Sequence, residues 1–162
     1  MVRPVALPTP LRVRDLLADL LARDVDVAVG DAWAPLPRDR AAVAEYVDDR
    51  LGLHALALLD LPLAVHLGAA IGLLPARGAL GMVEAGTPTA MVEENLYEVL
   101  DVLAAVLNSD DSVHVMIRPM RPIGAEPPAD VAQIVRRLTG RLDLSVSVDG
   151  YGSGRLAIVL AC

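Results

Sequence analysis

The sequence predicts an α+β fold in which an antiparallel β-sheet carries two buried helices on one face. Short apolar segments occur in pairs separated by turn residues, which is typical of β-hairpins. Two helical segments in the middle of the chain are rich in Leu, Val and Ala, which predicts that they are buried against the sheet. Strands and helices do not alternate strictly, as they would in a doubly wound parallel sheet.

The composition indicates a single domain spanning residues 1–162. Hydrophobic residues make up 54% of the chain, which excludes a disordered protein. Only 2% of the residues are aromatic and Phe is absent, so the core must be built from Leu, Val and Ala. Stacking surfaces for single-stranded nucleic acid are therefore not expected.

The charge balance is acidic, with a formal net charge of −7. A negative surface repels phosphate backbones, so no nucleic-acid partner is expected, whereas partners that carry Arg or Lys are favoured. All 14 basic residues are Arg. The absence of Lys excludes Schiff-base chemistry and the lysine of a phosphate-binding loop.

The cellular location is expected to be the cytoplasm, and the frequent Ala, Val and Leu indicate a GC-rich bacterial gene. Cys162 is the lone cysteine, so it cannot form an internal disulfide, and at the end of the chain it is a poor candidate nucleophile. Residues 51–74 are apolar but are interrupted by Asp, His and Pro, so no membrane insertion is expected.

The first half of the chain is predicted to form helix 11–23, strand 25–30, a hairpin of residues 41–48 and 53–59, and the buried helix 61–74. Residues 41–48 also fit an Ala-rich helix. Turn-forming residues and a dense apolar run follow them, which favours the hairpin. Asp60 is a good N-cap for the helix after it.

The second half repeats the strand-and-hairpin pattern, which predicts two pseudo-symmetric halves. Between the halves lie a predicted loop and the second buried helix, residues 75–86 and 87–107. The remaining predicted elements are strand 112–118, helix 130–139, and a closing hairpin of strands 142–148 and 155–161.

The predicted helix 87–107 has two different faces. Apolar residues recur at helical spacing and form a core stripe: Val92, Leu96, Val99, Leu103 and Val106. The opposite side has the same spacing and is mostly acidic or polar: Glu94, Glu98, Asp101, Ala105 and Asn108. One helix therefore carries both a core face and an acidic face.

Other motifs indicate structure more than chemistry. Gly150, Gly152 and Gly154 precede a strand and not a helix, so they predict a turn and not a nucleotide site. The three histidines lie in separate segments, which predicts no metal site, and no cofactor is expected. His66, on an apolar helix, is expected to be a hydrogen-bonded core residue.

The acidic helix resembles that of the CheX, CheC and FliY family of chemotaxis phosphatases, which is related to the middle domain of the flagellar switch protein FliM. The family pattern is an acidic or Ser residue, three others, and then Glu-x-x-Asn on a long helix. Here Glu94, Glu98 and Asp101 occupy these positions. Residues 114–124, with Pro119 and Pro122, look like the family's following strand and loop, and the element order fits from residue 11 onward.

The resemblance implies that the helix lies across the active site of a CheY-like response-regulator receiver domain. Glu94, Glu98 and Asp101 would contact the receiver, and Pro119 or Pro122 would support the helix. Glu98 would pair with the receiver's lysine. The family's Asn would orient the water that attacks the aspartyl phosphate, and the sequence has Asp101 at that position.

The exchange of Asn for Asp predicts weak or lost phosphatase activity. A carboxylate brings negative charge toward an anionic phosphoryl group, whereas an amide both donates and accepts hydrogen bonds. The first buried helix has no Glu-x-x-Asn, so at most one site is expected, as in CheX.

Two alternatives to receiver binding remain. Acids near the N-terminal half of a helix are also favoured by solubility and the helix dipole, so the acidic face could be merely solvated. The protein would then be a non-catalytic scaffold of the FliM type. The other alternative is a homodimer that binds a small molecule on the apolar surface between its two buried helices.

Overall fold

A computed structural model describes residues 2–161 and has the predicted α+β fold. Cys162 lies outside the described residues. The helices are α1 (Pro10–Leu21), α2 (Leu61–Ile71), α3 (Ala76–Ala85), α4 (Ala90–Leu103) and α5 (Ala129–Val135). The strands are β1 (Val25–Val29), β2 (Ala42–Val47), β3 (Leu53–Leu59), β4 (Met116–Ile117), β5 (Arg141–Val148) and β6 (Gly152–Leu160).

The six strands form one sheet in the order β1-β5-β6-β3-β2-β4, and each paired strand is antiparallel to its neighbour. The hairpins β2–β3 and β5–β6 meet at the central β3–β6 pair. Strand β1, which precedes the first hairpin, pairs with the second, and β4, which precedes the second hairpin, pairs with the first. Each half of the chain therefore contributes one strand that pairs with the hairpin of the other half.

The main core lies between one face of the sheet and helices α1, α2 and α4. Residues Leu63–Ala70 of α2 are all buried, as their continuous apolar character predicts. A smaller cluster on the opposite face packs β3 and β6 against α5 and Trp33. Since β3 has helices or loops on both faces, Ala55–Leu59 is buried without alternation.

The Gly-x-Gly-x-Gly motif lies where β6 packs closely on α2. Gly150 has φ +83° in the turn between β5 and β6. A Cβ atom at Gly152 would lie 2.7 Å from His66 Nε2, and one at Gly154 would lie 2.6 Å from Leu63 Cβ. These two glycines therefore allow the second hairpin to approach the start of α2.

The predicted loop 75–86 is wrong, because residues 76–85 form α3. Its Ala79 is fully buried, and Met82 and Val83 pack against the core, so tertiary burial outweighs the helix-disfavouring Gly78 and Gly81.

Several predicted boundaries also change. Helix α2 ends at Ile71 because Leu73 adopts a left-handed backbone conformation. The predicted strand 112–118 shortens to Met116–Ile117, and helix 130–139 ends at Val135. The carbonyl of Val135 accepts a hydrogen bond from the side chain of Arg141, so a tertiary contact satisfies this helix end.

His66 is buried as predicted, but the predicted hydrogen bonding of its side chain is absent among residues 2–161. Its Nδ1 has no hydrogen-bond partner among residues 2–161. Burial lowers the pKa of His66, and the nearby negative charge of Asp60 opposes this shift. The neutral imidazole is therefore the form that the core favours.

Candidate functional site

Helix α4 carries the predicted acidic face into solvent. The hydroxyl of Thr89 caps the helix by accepting a hydrogen bond from the Val92 amide at 3.3 Å. The side chains of Glu94, Glu98 and Asp101 are all exposed. The opposite stripe is buried and consists of Val92, Leu96, Val99, Leu100 and Leu103.

Close contact with α2 fixes the position of α4. The side-chain amide of Asn95 donates a hydrogen bond to the Gly68 carbonyl at 3.0 Å. A Cβ atom at Gly68 would lie 2.5 Å from the Val92 carbonyl oxygen, and one at Gly72 would lie 2.5 Å from the Asn95 amide nitrogen. Two glycines one helical turn apart therefore let the helices touch along their backbones.

The Gly68→Ala substitution is expected to destabilise the protein by about 1–3 kcal/mol, because the added methyl group collides with the backbone of α4. Gly78→Ala is the matched control, since Gly78 is also helical but its Cβ would meet no atom within 4 Å. That control should be neutral or stabilising by up to about 1 kcal/mol. Urea unfolding measures both changes, and equal effects would contradict the proposed close crossing.

Tyr46 holds α4 from the sheet side. Its fully buried hydroxyl donates a hydrogen bond to the Leu100 carbonyl at 2.6 Å. Burial, together with the negative charge of Asp101, raises the pKa of Tyr46 and keeps the phenol protonated. Sequence reasoning missed both Tyr46 and Asn95. For Tyr46 the available signal was its position in a mostly apolar strand, since the hydroxyl of a buried tyrosine needs a hydrogen-bond partner.

An ion cluster around the buried Glu45 holds the segment after β4 beside α4. Glu45 is only 5% exposed and pairs with Arg118 at 3.1 Å and Arg121 at 2.6 Å. The two arginines bracket Pro119, which lines a shallow groove of about 260 Å³ together with Glu94. The ion cluster therefore positions Pro119 at the N-terminal half of the acidic face.

The other predicted site residues lie outside this groove. Glu98 and Asp101 follow toward the C-terminal end of α4, three residues apart and therefore neighbours on its surface. Pro122 is exposed and does not line the groove with Pro119. The structure thus brings Pro119 to Glu94 and leaves Glu98 and Asp101 open to solvent.

The three acids lack compensating charge, since none forms an ion pair within the described chain. Like charges at this spacing destabilise a helix by about 0.2–0.5 kcal/mol per pair. The expectation that all three lie in the N-terminal half is wrong, because α4 ends at Leu103 and Asp101 lies in its last turn. The helix dipole acts within the first and last turns, where it favours Glu93 and disfavours an anion at Asp101, so it does not explain the acidic face.

Asn108 does not extend the acidic face. Its side chain donates to the Val115 carbonyl at 3.0 Å and accepts from the Val115 amide at 2.8 Å. Asn108 thereby shapes the connection between α4 and β4. Because both backbone groups of Val115 are bonded to Asn108, they are not available to the sheet. The strand therefore starts at Met116 and not at residue 112.

Among residues 2–161, no group of three or more His, Cys, Asp or Glu residues is arranged to hold a metal ion. None of the described helices is both long enough and apolar enough to cross a membrane. The exposed carboxylates of the acidic face of α4 are chemically suited to ion pairs and charge-assisted hydrogen bonds with cationic groups.

The chain has the fold shared by the CheX, CheC and FliY family and the FliM middle domain. It is similar to FliY of Thermotoga maritima, with TM-score 0.55 and 13% identity over 91% of this chain and 81% of that one. It is also similar to the FliM middle domain of H. pylori, with TM-score 0.52 and 10% identity over 93% and 84% of the two chains.

A third similar structure is the complex of CheX with CheY, BeF3 and Mg from Borrelia burgdorferi. Here the TM-score is 0.53 and the identity 10%, over 95% of this chain and 99% of that one. At these identities the likeness is one of fold. No protein-family model matches the sequence. A comparison with curated proteins likewise finds no relative.

Proposed function

We propose that the protein binds the receiver domain of a response regulator through Glu94, Glu98 and Asp101, with weak or lost aspartyl-phosphate phosphatase activity. The observation that carries the proposal is the uncompensated acidic face of α4, which extends against the helix dipole to the last turn. Such a face is stabilised when a partner supplies the cation. A lysine of the receiver's active site is that cation.

The fold supports this choice of partner. One structure of similar fold is a CheX bound to CheY in the presence of BeF3 and Mg. On this chain, Glu98 is the residue placed to accept hydrogen bonds from an ammonium group, because it is exposed at the middle of the face. Glu94 and Asp101 flank it and extend the negative potential along the helix.

Asp101 determines how much hydrolysis remains. Phosphoryl transfer gains from a group that orients water without adding charge, and a loose transition state gains little from a stronger base. An ionised Asp101 carries no hydrogen-bond donor and repels the phosphoryl oxygens. Binding without efficient hydrolysis is therefore the expected behaviour.

Binding is tested with a panel of CheY-type receiver domains loaded with BeF3 and Mg. Reversing both charges by Glu94→Arg and Glu98→Arg is expected to weaken binding by at least about tenfold, since attraction to the receiver's lysine becomes repulsion. The control reverses Glu84 and Glu126, which are also exposed glutamates but are not part of α4. It changes net charge equally and should leave binding intact. Isothermal titration calorimetry measures both.

A non-catalytic scaffold of the FliM type is the second candidate, and the Asp at position 101 is the observation that favours it. In that case the acidic face is solvated and partners bind elsewhere on the domain. A receiver that still binds the doubly reversed variant, or binds neither wild type nor variant, would favour the scaffold over the proposed interface.

A further inference from the structure

The shallow groove beside Pro119 contains charges of both signs that do not meet. Glu93 and Glu94 of α4 line it together with Arg121, from the segment after β4. Within residues 2–161, neither glutamate forms an ion pair with Arg121 or with any other residue. Opposite charges attract across such a groove, so something must hold Arg121 back.

The buried carboxylate of Glu45 holds it. Arg121 donates from Nη1 to Oε2 of Glu45 at 2.6 Å, and Arg118 donates to the other carboxylate oxygen at 3.1 Å. Glu45 is only 5% exposed, whereas Glu94 is exposed. Charges attract more strongly where water is excluded, and a buried carboxylate without a partner is costly. Arg121 therefore pairs with Glu45 in preference to Glu94.

We propose that Glu45 is a positioning residue that withholds Arg121 from the acidic face of α4 and so keeps Glu94 free for a cation of the partner. Without the charge of Glu45, the guanidinium of Arg121 loses its buried counter-charge. Glu93 and Glu94 are then the carboxylates that share its groove. An Arg121 paired with them would occupy Glu94 and would repel the partner's lysine.

Arg118, the second cation on Glu45, differs from Arg121 in its surroundings. It does not line the groove, and its Nη2 donates to the carbonyl of Leu51 at 3.4 Å, in the turn between β2 and β3. Its backbone amide also donates to the carbonyl of Glu45 at 2.8 Å. Both arginines therefore neutralise Glu45, but of the two only Arg121 shares a groove with Glu94.

The consequence for receiver binding rests on the proposed function, whereas the contact of Arg121 does not. A crystal structure of a variant reports the contact without a receiver, and calorimetry reports the binding. Failure of the proposed function is therefore distinguishable from failure of this inference.

The contact is tested by crystal structures of wild type and Glu45→Gln. Gln removes the charge with little change of volume, and Arg118 and Arg121 are 37% and 34% exposed, so water can hydrate both and the fold should persist. In the variant, Arg121 is expected within about 4 Å of a carboxylate oxygen of Glu93 or Glu94. An Arg121 that stays on residue 45, or turns into solvent, would overturn the proposal.

The consequence is tested by isothermal titration calorimetry with a receiver domain loaded with BeF3 and Mg. Glu45→Gln is expected to weaken binding about five- to tenfold. Adding Arg121→Gln should restore binding to within about twofold of wild type, because the released cation is gone. Adding Arg118→Gln instead is the matched control, since it restores the same net charge but leaves Arg121 in place. This control should restore little.

A purely structural role of Glu45 predicts a different pattern. Arg121→Gln would then give no rescue, because it removes a further anchor of the segment, and this result would overturn the proposal. Equal rescue by Arg118→Gln would also overturn it, since net charge alone would then decide binding. If no receiver binds, the proposed function fails, and the crystal structures still decide whether Glu45 withholds Arg121.

Glu45→Asp is the second variant, and it keeps a buried carboxylate for the two arginines. Arg121 should stay on this carboxylate, and the loss of receiver binding should be smaller than with Glu45→Gln. An equal loss, or an Arg121 that contacts Glu94 in this variant, would contradict the role of the charge. Thermal unfolding checks that every variant is folded.

Discussion

Replacing Asp101 with Asn is expected to accelerate dephosphorylation of a bound receiver domain by up to about a thousandfold. Two unit charges about 4 Å apart repel by about 4 kcal/mol at an effective dielectric constant of 20, and each 1.4 kcal/mol of barrier is a factor of ten in rate. The amide removes this repulsion and supplies a donor to the attacking water. Asp101 is exposed, so the exchange does not disturb the core.

The measurement is release of phosphate from phosphorylated receiver domains, with wild type and Asp101→Asn compared at equal concentration. Asp101→Ala is the matched control, because it removes the charge without supplying an amide, so the difference between the two variants measures what the amide adds. Adding Glu98→Gln to Asp101→Asn should reduce the gain. If neither wild type nor Asp101→Asn binds or accelerates any receiver, the proposed function is wrong.

Removing the carboxylate of Asp143 is expected to cost about 3–5 kcal/mol of stability, because it leaves a buried arginine without its counter-charge. Arg141 and Asp143 form a two-pronged ion pair, with Nε to Oδ2 at 2.8 Å and the second contact at 2.7 Å. Their side chains are only 4% and 9% exposed. The same guanidinium donates to the carbonyls of Val135 and Arg137, and the Trp33 amide donates to Asp143 at 3.0 Å.

This pair therefore links β5 to the end of α5 and to the loop before β2. Its loss should loosen the packing of α5 and Trp33 on the face of the sheet opposite the main core. Urea unfolding of Asp143→Ala measures the loss. Asp15→Ala is the control, because the exposed Arg14–Asp15 pair has a similar separation of 3.0 Å and such pairs contribute less than about 1 kcal/mol. Equal losses from the two variants would show that burial of the pair does not matter.

Much of the candidate site could be read from helical spacing. The apolar stripe of α4 predicts which side faces the core, and its complement places Glu94, Glu98 and Asp101 in solvent. Spacing could not show that the helix changes to a 3-10 turn over Ala104–Val106, which leaves Asp101 in the last α-helical turn. It also could not place Pro119 beside Glu94, since Glu45, far away in the chain, holds that segment through two ion pairs.

The sequence by itself determined the class of fold, the two hairpins, the buried helix α2 and the two faces of α4. These features follow from periodicity and turn chemistry, which act between residues a few positions apart. Only the tertiary structure decided that residues 76–85 are helical, that α2 and α4 touch at Gly68, and that Glu45 holds the segment with Pro119 beside α4. These features depend on burial and on close contacts between residues that lie far apart in the chain. Local sequence patterns therefore cannot predict them.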